Sequence, residues 1–337
     1  DFLRPGKEWI KKEASPVTLI NRDSMKLNGL FLPSMLVSDV PLNINGFSPH
    51  NYNKTFYGAV PAHVAIERSL NVPLVRMLSQ YNTGRFMSLL KSWGMTTLRF
   101  SEEHYGASLI LGGAEGTLWD LSGMYASMSR VLKHYRTYNG RYNPADIHPL
   151  TPFPAERKEP IRSLTDSRLT DKALLSSAGL WYTFEAMSAL NRPEEEADWQ
   201  QFESMKRIAW KTGTSYGGRD AWAIGTTPRY VVGVWAGNAS GEGRPGLTGV
   251  GNAAPVLFDL FSLLPGGEWF DLPYDETLPM AICRNSGHKA SPYCEQTDTL
   301  YMPLSGNNTG ICPYHKLVHL SADGRYRVNS SCESVDR

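Results

Sequence analysis

The stretch WKTGTSYGGRD, residues 210–220, decides the fold of this chain. Its first half continues a strand-like run at 208–210, and its second half is rich in turn-forming residues. Two further strand-like runs follow at 221–226 and 230–236, separated by the short turn Thr227-Pro228-Arg229. This pattern predicts an antiparallel meander whose first strand ends in a lysine, a glycine and threonine hydroxyls.

The tetrapeptide Lys211-Thr212-Gly213-Thr214 is also a candidate substrate-binding strand. An edge strand offers unpaired backbone groups, so an extended peptide can bind to it as an added strand. Gly213 lets such a peptide approach closely, and Lys211 can hold a carboxylate or tune a nearby hydroxyl. Lys-Thr-Gly is one of three short motifs of serine acyl-transfer enzymes that act on D-Ala–D-Ala peptides and β-lactams. Because the triplet also occurs at ordinary hairpin edges, it does not decide the function alone.

A second motif, Ser69-Leu70-Asn71, lies well upstream of the lysine. The preceding segment, 61–68, has helical character, and Pro73 suits the first turn of a following helix. The sequence therefore predicts a tight link between two helices that presents a hydroxyl and an amide to a cleft. Such a serine can relay a proton, and such an asparagine can orient a lysine or a substrate amide. The alternative is that both residues only cap the helices.

Three segments together resemble the penicillin-binding transpeptidases. They read RSLNVPLVRML at 68–78, SLILGGAEGTLWDLSGMYASMSR at 108–130 and WKTGTSYGGRDAWAIGTTPRYVVGVWAGN at 210–238. The resemblance runs from about residue 29 to the C-terminus, and its motifs are specific in combination. It implies an α+β fold in which a five-stranded antiparallel sheet has helices on both faces. The site would lie between the sheet edge and an all-helical lobe, and a small β-rich C-terminal domain would follow.

The resemblance also implies a function. The full protein is expected to be a peptidoglycan D,D-transpeptidase, which cross-links stem peptides through a serine acyl-enzyme and is inhibited by β-lactams. Ser69, Asn71 and Lys211 match catalytic positions of the family's second and third motifs. The substrate-binding positions of the third motif are Thr212, Gly213 and Thr214. Lys211 and Thr214 would hold the terminal carboxylate, and the Thr214 N–H would supply half of an oxyanion hole. The resemblance implies no cofactor and no metal.

The partners and location follow from the same resemblance and from composition. Stem peptides and β-lactams are the expected ligands, and the C-terminal domain is a candidate for contacts with other cell-wall synthesis proteins. The net charge of +1 gives no electrostatic case for nucleic acid. The full protein is expected to be periplasmic and anchored in the membrane. No apolar run here reaches the ~18 residues of a membrane span, so we expect the chain to be the soluble part of a longer protein.

The nucleophile of such a site does not appear where it is expected. The family places Ser-x-x-Lys upstream of Ser-x-Asn, because the serine attacks while a lysine one turn later takes its proton. No such motif occurs in residues 1–60, and the segment 15–28 lacks the apolar periodicity of a buried helix. The match Ser88-Leu89-Leu90-Lys91 lies downstream of Ser69, on what should be an ordinary amphipathic helix. Either the nucleophile segment is absent from this sequence, which we favour, or the chain is an inactive module that binds peptidoglycan or a partner protein.

The C-terminal part is set apart by its cysteines and by a predicted boundary. Pro265-Gly266-Gly267 predicts a division into a transpeptidase domain, 1–265, and a small domain, 275–337. All cysteines of the chain lie in the second part: Cys283, Cys294, Cys312 and Cys332. An even count in a small region indicates disulfides in an oxidising compartment, and we favour the pairs Cys283–Cys294 and Cys312–Cys332 because each closes a short loop. A zinc site is the alternative, since His315 and His319 follow Cys312, although no C-x-x-C pair occurs.

Overall fold

The structure is a computed structural model that describes residues 31–153, 161, 163–190, 206–321 and 323–328. Its α-helices in chain order are α1 (Ala62–Glu67), α2 (Asn71–Tyr81), α3 (Thr83–Ser92), α4 (Glu102–Tyr105), α5 (Leu118–Thr137), α6 (Ser177–Ser188) and α7 (Ala254–Ser262). Its strands are β1 (Leu36–Asp39), β2 (Gly58–Pro61), β3 (Ala209–Thr214), β4 (Asp220–Thr226), β5 (Val231–Gly237), β6 (Thr277–Cys283), β7 (Thr297–Pro303), β8 (His319–Leu320) and β9 (Arg327–Val328).

The predicted combination of helices with antiparallel sheet is confirmed. The named strands form one three-stranded sheet, β3–β4–β5, and the two-stranded ribbons β1–β2, β6–β7 and β8–β9. The three-stranded sheet is the predicted meander: β3 pairs with β4 from Ala209↔Thr226 to Thr214↔Ala221, and β5 adds to the other edge of β4. The family resemblance implies five strands for this sheet, and the described residues contribute three. Every residue of β4 is buried, because it is central and covered on both faces.

Helices pack on both faces of this sheet. On one face, the Ser129 hydroxyl of α5 lies 2.6 Å from the Thr226 hydroxyl of β4, within hydrogen-bonding distance. On the other face, Phe258 of α7 packs edge-on against Trp210 of β3, with ring centroids 4.9 Å apart. Trp210 is the register partner of Gly225, the neighbour of Thr226, and side chains alternate between faces along a strand. The two helices therefore enclose the sheet from opposite sides.

The remaining helices form a lobe around the main core. In α3 the buried residues follow the i, i+4 spacing of a single face, whereas α6 is buried on nearly all sides. The largest fully buried side chains of this lobe are Ile66, Leu74, Met77, Leu78, Phe86, Leu90 and Phe184. The β1–β2 ribbon contacts α1 and α2, so the start of the described chain lies beside the link that carries Ser69.

The C-terminal module, residues 275–328, docks on the beginning of the described chain. Leu32 is almost fully buried in a small cluster with Met280, Ile282 and Met302 of this module. The Leu36 N–H donates to Ser286 O over 3.0 Å, and the Ser34 hydroxyl donates to Gly287 O over 2.9 Å. Part of the module's apolar core is thus supplied by the other part of the chain.

The connection between the two parts is packed against α6. Trp269 donates its Nε1–H to Glu185 over 2.8 Å, and the guanidinium of Arg207 lies 4.5 Å above the Trp269 ring. Phe270 is buried against Phe184, with ring centroids 5.1 Å apart. The division into 1–265 and 275–337 stays a prediction, and the structure adds that the intervening residues are anchored rather than free.

The docking of the module can be tested at Gly287. This residue has φ +65°, and a Cβ there would lie 1.7 Å from Ser34 O, a backbone atom that cannot move away alone. We expect Gly287→Ala to lower the free energy of unfolding by at least about 2 kcal/mol, because it adds a clash to left-handed backbone strain. Calorimetry of the full chain measures the change. The control is Gly310→Ala, where a Cβ meets nothing within 4 Å, and equal stability of the two variants would contradict the docking.

Candidate functional site

Lys211 is a buried cation on β3. Its side chain is 4 % exposed, and its register partner Ile224 places it on the face that α5 covers. Its Nζ donates a hydrogen bond to Thr212 O over 2.9 Å. Burial lowers the pKa of the Lys211 ammonium to about 8, because the charged form loses its hydration. Such an amine can bind a carboxylate when charged and can accept a proton when neutral, within a narrow range of pH.

The KTGT segment lies on an edge strand, since none of the described strands pairs with the outer edge of β3. Ser215 N–H donates to Asp220 O over 3.0 Å. Hydrogen-bonded pairs alternate along an antiparallel ladder, so Gly213 also directs its backbone groups to β4. The N–H and C=O groups of Thr212 and Thr214 then point to the outer edge. This is the arrangement that an extended peptide needs to add as a further strand.

The glycine-rich segment 241–251 packs beside this strand. Gly249 begins a short π-helical turn, Gly249–Ala253, that leads into α7. Its N–H donates to Thr214 Oγ1 over 2.9 Å. A Cβ at Gly249 would lie 2.6 Å from Gly213 O and 2.7 Å from Trp222 O, so only glycine allows this approach. The contact fixes the Thr214 hydroxyl at the end of β3.

Ser69 lies on the predicted tight link, between α1 and α2. Its backbone is left-handed, with φ 52°. Leu70 N–H donates to Ala65 O over 2.9 Å, and Ser69 N–H donates to Ile66 O over 3.1 Å. These two bonds form a Schellman cap, in which the left-handed position is usually glycine. A serine at this position costs about 1 kcal/mol or more relative to glycine.

Asn71, the other half of the motif, is the first residue of α2. Its Nδ2 donates to His50 O over 2.8 Å, and the side chain is half-buried. Helix α6 contacts both α1 and β3, so it connects the Ser69–Asn71 link with the strand that carries Lys211. The structure thus groups the third-motif residues on β3 and the second-motif residues on the link. Their roles stay predictions.

Two buried carboxylates support these motifs and had no signal in the sequence. Asp39 accepts hydrogen bonds from Asn51 Nδ2 over 2.9 and 3.0 Å, and Asn51 Oδ1 accepts from the Val72 N–H at the start of α2. Asp220 accepts from the Ser215 hydroxyl over 2.9 Å and from Trp235 Nε1 over 3.0 Å. The first network holds the α1–α2 link, and the second holds the turn that follows KTGT. Only their burial in the folded chain reveals them.

The nucleophile is not assigned. The segment 15–28 lies outside the described residues. Ser88 and Lys91 are both exposed on α3, as expected for the outer face of an amphipathic helix. A further Ser-x-x-Lys, Ser286 to Lys289, lies in a turn of the C-terminal module, where the Ser286 hydroxyl is buried against Cys312 Sγ at 3.2 Å. Neither match has the position at the start of a buried helix that acyl transfer requires.

The predicted disulfide between Cys283 and Cys294 is wrong for this structure. Both are free thiols, as is Cys312, while Cys332 lies outside the described residues. The donor atoms of Cys283, Cys294, Cys312 and His315 instead converge within 4.8 Å of one another. Burial opposes ionisation of Cys312, but hydrogen bonds from Ser286 and from backbone N–H groups outweigh it and lower the pKa of this thiol to about 6. His319, the other candidate, is exposed in β8.

Comparisons with known sequences point to one group of proteins. No family model matches the chain. Penicillin-binding protein 1C of Escherichia coli (strain K12) is 31% identical over 236 residues, which cover 70% of this chain and 27% of that protein. Penicillin-binding protein 4 of Bacillus subtilis (strain 168) is 27% identical over 195 residues, or 57% of this chain and 28% of that protein. The chain spans less than a third of the length of these relatives.

Solved structures agree on the fold. Penicillin-binding protein 1A from Haemophilus influenzae superposes with a TM-score of 0.59 at 16% identity, covering 88% of this chain and 48% of that one. The PonA1 protein from Mycobacterium tuberculosis in complex with penicillin V gives a TM-score of 0.55 at 18% identity, covering 77% and 71%. At such identities the likeness concerns the fold, and it confirms the predicted transpeptidase-like architecture.

The strain at Ser69 gives a test of the link. We expect Ser69→Gly to raise the free energy of unfolding by about 1 kcal/mol, because glycine adopts positive φ without steric cost. The matched control is Ser79→Gly, within α2, which should lower it by several tenths of a kcal/mol. Urea unfolding of the full chain compares the two. Destabilisation by Ser69→Gly would mean that the link is not held in the left-handed cap.

Proposed function

This chain belongs to the penicillin-binding proteins, and from that premise we propose that β3 and the Ser69–Asn71 link form part of a peptidoglycan D,D-transpeptidase site. The observation that carries the proposal is Lys211. It is a buried lysine with its pKa lowered to about 8, on an edge strand whose Thr212 and Thr214 backbone groups point outward. Burying an ammonium without an anionic partner is costly, and a carboxylate at the end of a peptide added to β3 would provide that partner.

The proposed reaction assigns a role to each motif residue. A serine of the intact protein attacks the carbonyl carbon of the penultimate D-Ala, the C–N bond to the terminal D-Ala breaks, and that residue leaves with a proton. An amine from a neighbouring stem peptide then attacks the ester and releases the serine. Thr214 N–H, at the outer edge of β3, would donate to the oxyanion. Ser69 would relay the proton, and Asn71 would orient the catalytic lysine or the substrate amide. Lys211 and the Thr214 hydroxyl would hold the terminal carboxylate.

The same residues account for the expected ligands. A β-lactam contains a strained amide and a carboxylate, so it can bind to a strand edge that recognises an amide and a terminal carboxylate. The PonA1 structure is a complex with penicillin V. We place the intact protein at the outer face of the cytoplasmic membrane, with cell-wall synthesis proteins as candidate partners of the C-terminal module. No helix in the described parts of the chain is long and apolar enough to cross a bilayer.

One observation favours a second candidate function. Ser-x-x-Lys does not precede Ser69 in this sequence. The chain would then be a transpeptidase-fold module that binds peptidoglycan or a partner protein without acyl transfer. We favour the enzyme, because a strained Ser69 reduces stability and a module that only binds has no chemical need of its hydroxyl.

Lys211 provides the direct test of the enzyme proposal. In an intact parent protein that acylates penicillin, we expect Lys211→Ala to slow acylation at least ~10²-fold, since a charge-assisted contact in the transition state is worth about 2–4 kcal/mol. Lys211→Arg should rescue poorly, because a forked guanidinium does not replace a compact ammonium. Stopped-flow acylation with a fluorescent penicillin measures the rates. The matched control is Lys91→Ala, on the exposed face of α3. An unchanged rate in a folded Lys211→Ala protein would remove this residue from the site.

This chain of 337 residues should form no covalent adduct with benzylpenicillin, because no Ser-x-x-Lys precedes Ser69 in it. Intact-protein mass spectrometry after incubation checks this. An adduct would show that another serine is the nucleophile, and peptide mapping would identify it. Acylation of the intact parent without acylation of this chain would support a missing nucleophile segment, whereas no acylation of either would support the binding module.

A further inference from the structure

We propose that Cys283, Cys294, Cys312 and His315 bind one structural zinc ion in the C-terminal module. The evidence is the geometry of the donors, which all lie within 4.8 Å of one another. His315 Nδ1 lies 3.4 Å from Cys283 Sγ, 3.3 Å from Cys294 Sγ and 3.4 Å from Cys312 Sγ. One nitrogen equidistant from three sulfurs, with the sulfurs on the same side of it, forms the apex of a tetrahedral donor set.

The distances match zinc coordination. Zn–S bonds of about 2.3 Å and Zn–N bonds of about 2.0 Å put neighbouring donors of a tetrahedron about 3.5 Å apart. The three sulfur–nitrogen distances in this cluster lie close to that value. A disulfide would instead bring two sulfurs to about 2.05 Å, and it would leave no reason for a third thiol and an imidazole to converge on the pair.

The polypeptide holds the four donors in place from three segments. Cys283 ends β6, Cys294 follows a turn at Ser291, and Cys312 and His315 share one turn as Cys-Pro-Tyr-His. Backbone bonds lock the segments together: Cys312 N–H donates to Lys289 O over 2.7 Å, and Cys283 N–H donates to His288 O over 2.9 Å. The donors are therefore positioned by main-chain pairing rather than by flexible side chains alone.

Hydrogen-bond donors surround the sulfurs. Ser291 N–H donates to Cys294 Sγ over 3.2 Å, and the Ser291 hydroxyl donates to His315 O over 3.1 Å. The Ser286 hydroxyl lies 3.2 Å from Cys312 Sγ. Zinc binds the thiolate form of cysteine, and donors placed around the sulfur stabilise that negative charge and orient the ligand. Such contacts are of no use to a buried disulfide.

The small size of the module explains why it needs a metal. Its own buried apolar cluster consists of Met280, Ile282 and Met302, completed by Leu32 from the other part of the chain. A module with so little apolar core requires a covalent or metal cross-link to be stable. The described residues contain no disulfide among Cys283, Cys294 and Cys312, so the metal is the remaining cross-link. Four protein donors leave no open position, which is the pattern of a structural rather than a catalytic zinc site.

The donor chemistry selects zinc over other common divalent ions. Three soft thiolates and an imidazole suit Zn²⁺, whereas Mg²⁺, Ca²⁺ and Mn²⁺ prefer oxygen ligands. His319 is exposed in β8 and lies outside the cluster, so His315 is the histidine ligand, beside the three cysteines. This assignment is independent of the acyl-transfer residues on β3.

The test measures metal bound to the full chain purified under reducing conditions. Inductively coupled plasma mass spectrometry should find one zinc ion per chain, and replacement by Co²⁺ should give the visible absorption of a tetrahedral thiolate site. We expect Cys294→Ser and His315→Asn each to lower the zinc content at least about tenfold. The matched controls, Cys332→Ser and His319→Asn, should retain it, because the four donors of the cluster already complete a tetrahedral site.

A second measurement does not depend on how the variants fold. Stripping the unaltered chain with a chelator should lower the Tm of the module, and Zn²⁺ but not Mg²⁺ should restore it. The proposal is overturned by a reduced, folded chain that holds no zinc, or by a native disulfide between any two of Cys283, Cys294 and Cys312 in non-reducing peptide mapping. Loss of zinc in His319→Asn to the same extent as in His315→Asn would overturn the ligand assignment.

Discussion

β4 supplies all the strand pairing that β3 has in the described part of the chain, and this one-sided pairing determines where the site residues lie. Helices α5 and α7 pack on opposite faces of the sheet, α6 contacts β3, and the outer edge of β3 has no strand partner in the described part of the chain. The Gly249 turn packs over the end of β3 and fixes the Thr214 hydroxyl. An extended ligand can therefore pair with the backbone of Thr212 and Thr214 at that edge.

Two features that lower the free energy of unfolding lie in the segments that carry the motifs. Burial lowers the pKa of Lys211, and no charged neighbour contributes to that shift. Ser69 is held in a left-handed conformation. Such features persist only where the surrounding structure determines them. For Ser69 the surroundings are the Schellman bonds and the Asp39–Asn51 network, and for Lys211 they are the sheet register and the helices over it. Strain and buried charge of this kind are typical of sites that bind or react.

Local patterns were sufficient to predict the elements that bear the motifs, because the determinants lie close together in sequence. The meander follows from the 208–236 pattern, and the α1–α2 link follows from Ser69-Leu70-Asn71 before Pro73. The contacts of Asn51 with Val72 and of Gly249 with Thr214 could not be predicted, since they join segments that lie apart in the chain. The burial of Asp220 depends on β4 becoming the central strand of the sheet. The predicted Cys283–Cys294 disulfide failed for a similar reason: a short loop closes at a small cost in entropy, but the fold brings Cys312 and His315 to these two cysteines. The spacing Cys312-Pro313-Tyr314-His315 was the available signal for a metal site.

The turn that follows Cys283 connects the cysteine cluster with the rest of the molecule. Ser286 contacts Cys312 through its hydroxyl and accepts a backbone bond from Leu36 of β1 through its carbonyl. The segment before β1 in turn accepts from the start of α1, since Ala62 N–H donates to Met35 O and His63 N–H donates to Pro33 O. The Ser286 side chain and these backbone hydrogen bonds thus link the cluster to the helix that ends at the Ser69 cap. The zinc site that we propose would therefore order the part of the module that contacts residues 32–36. Through those residues, the module would stabilise the position of α1 and of the Ser69 cap.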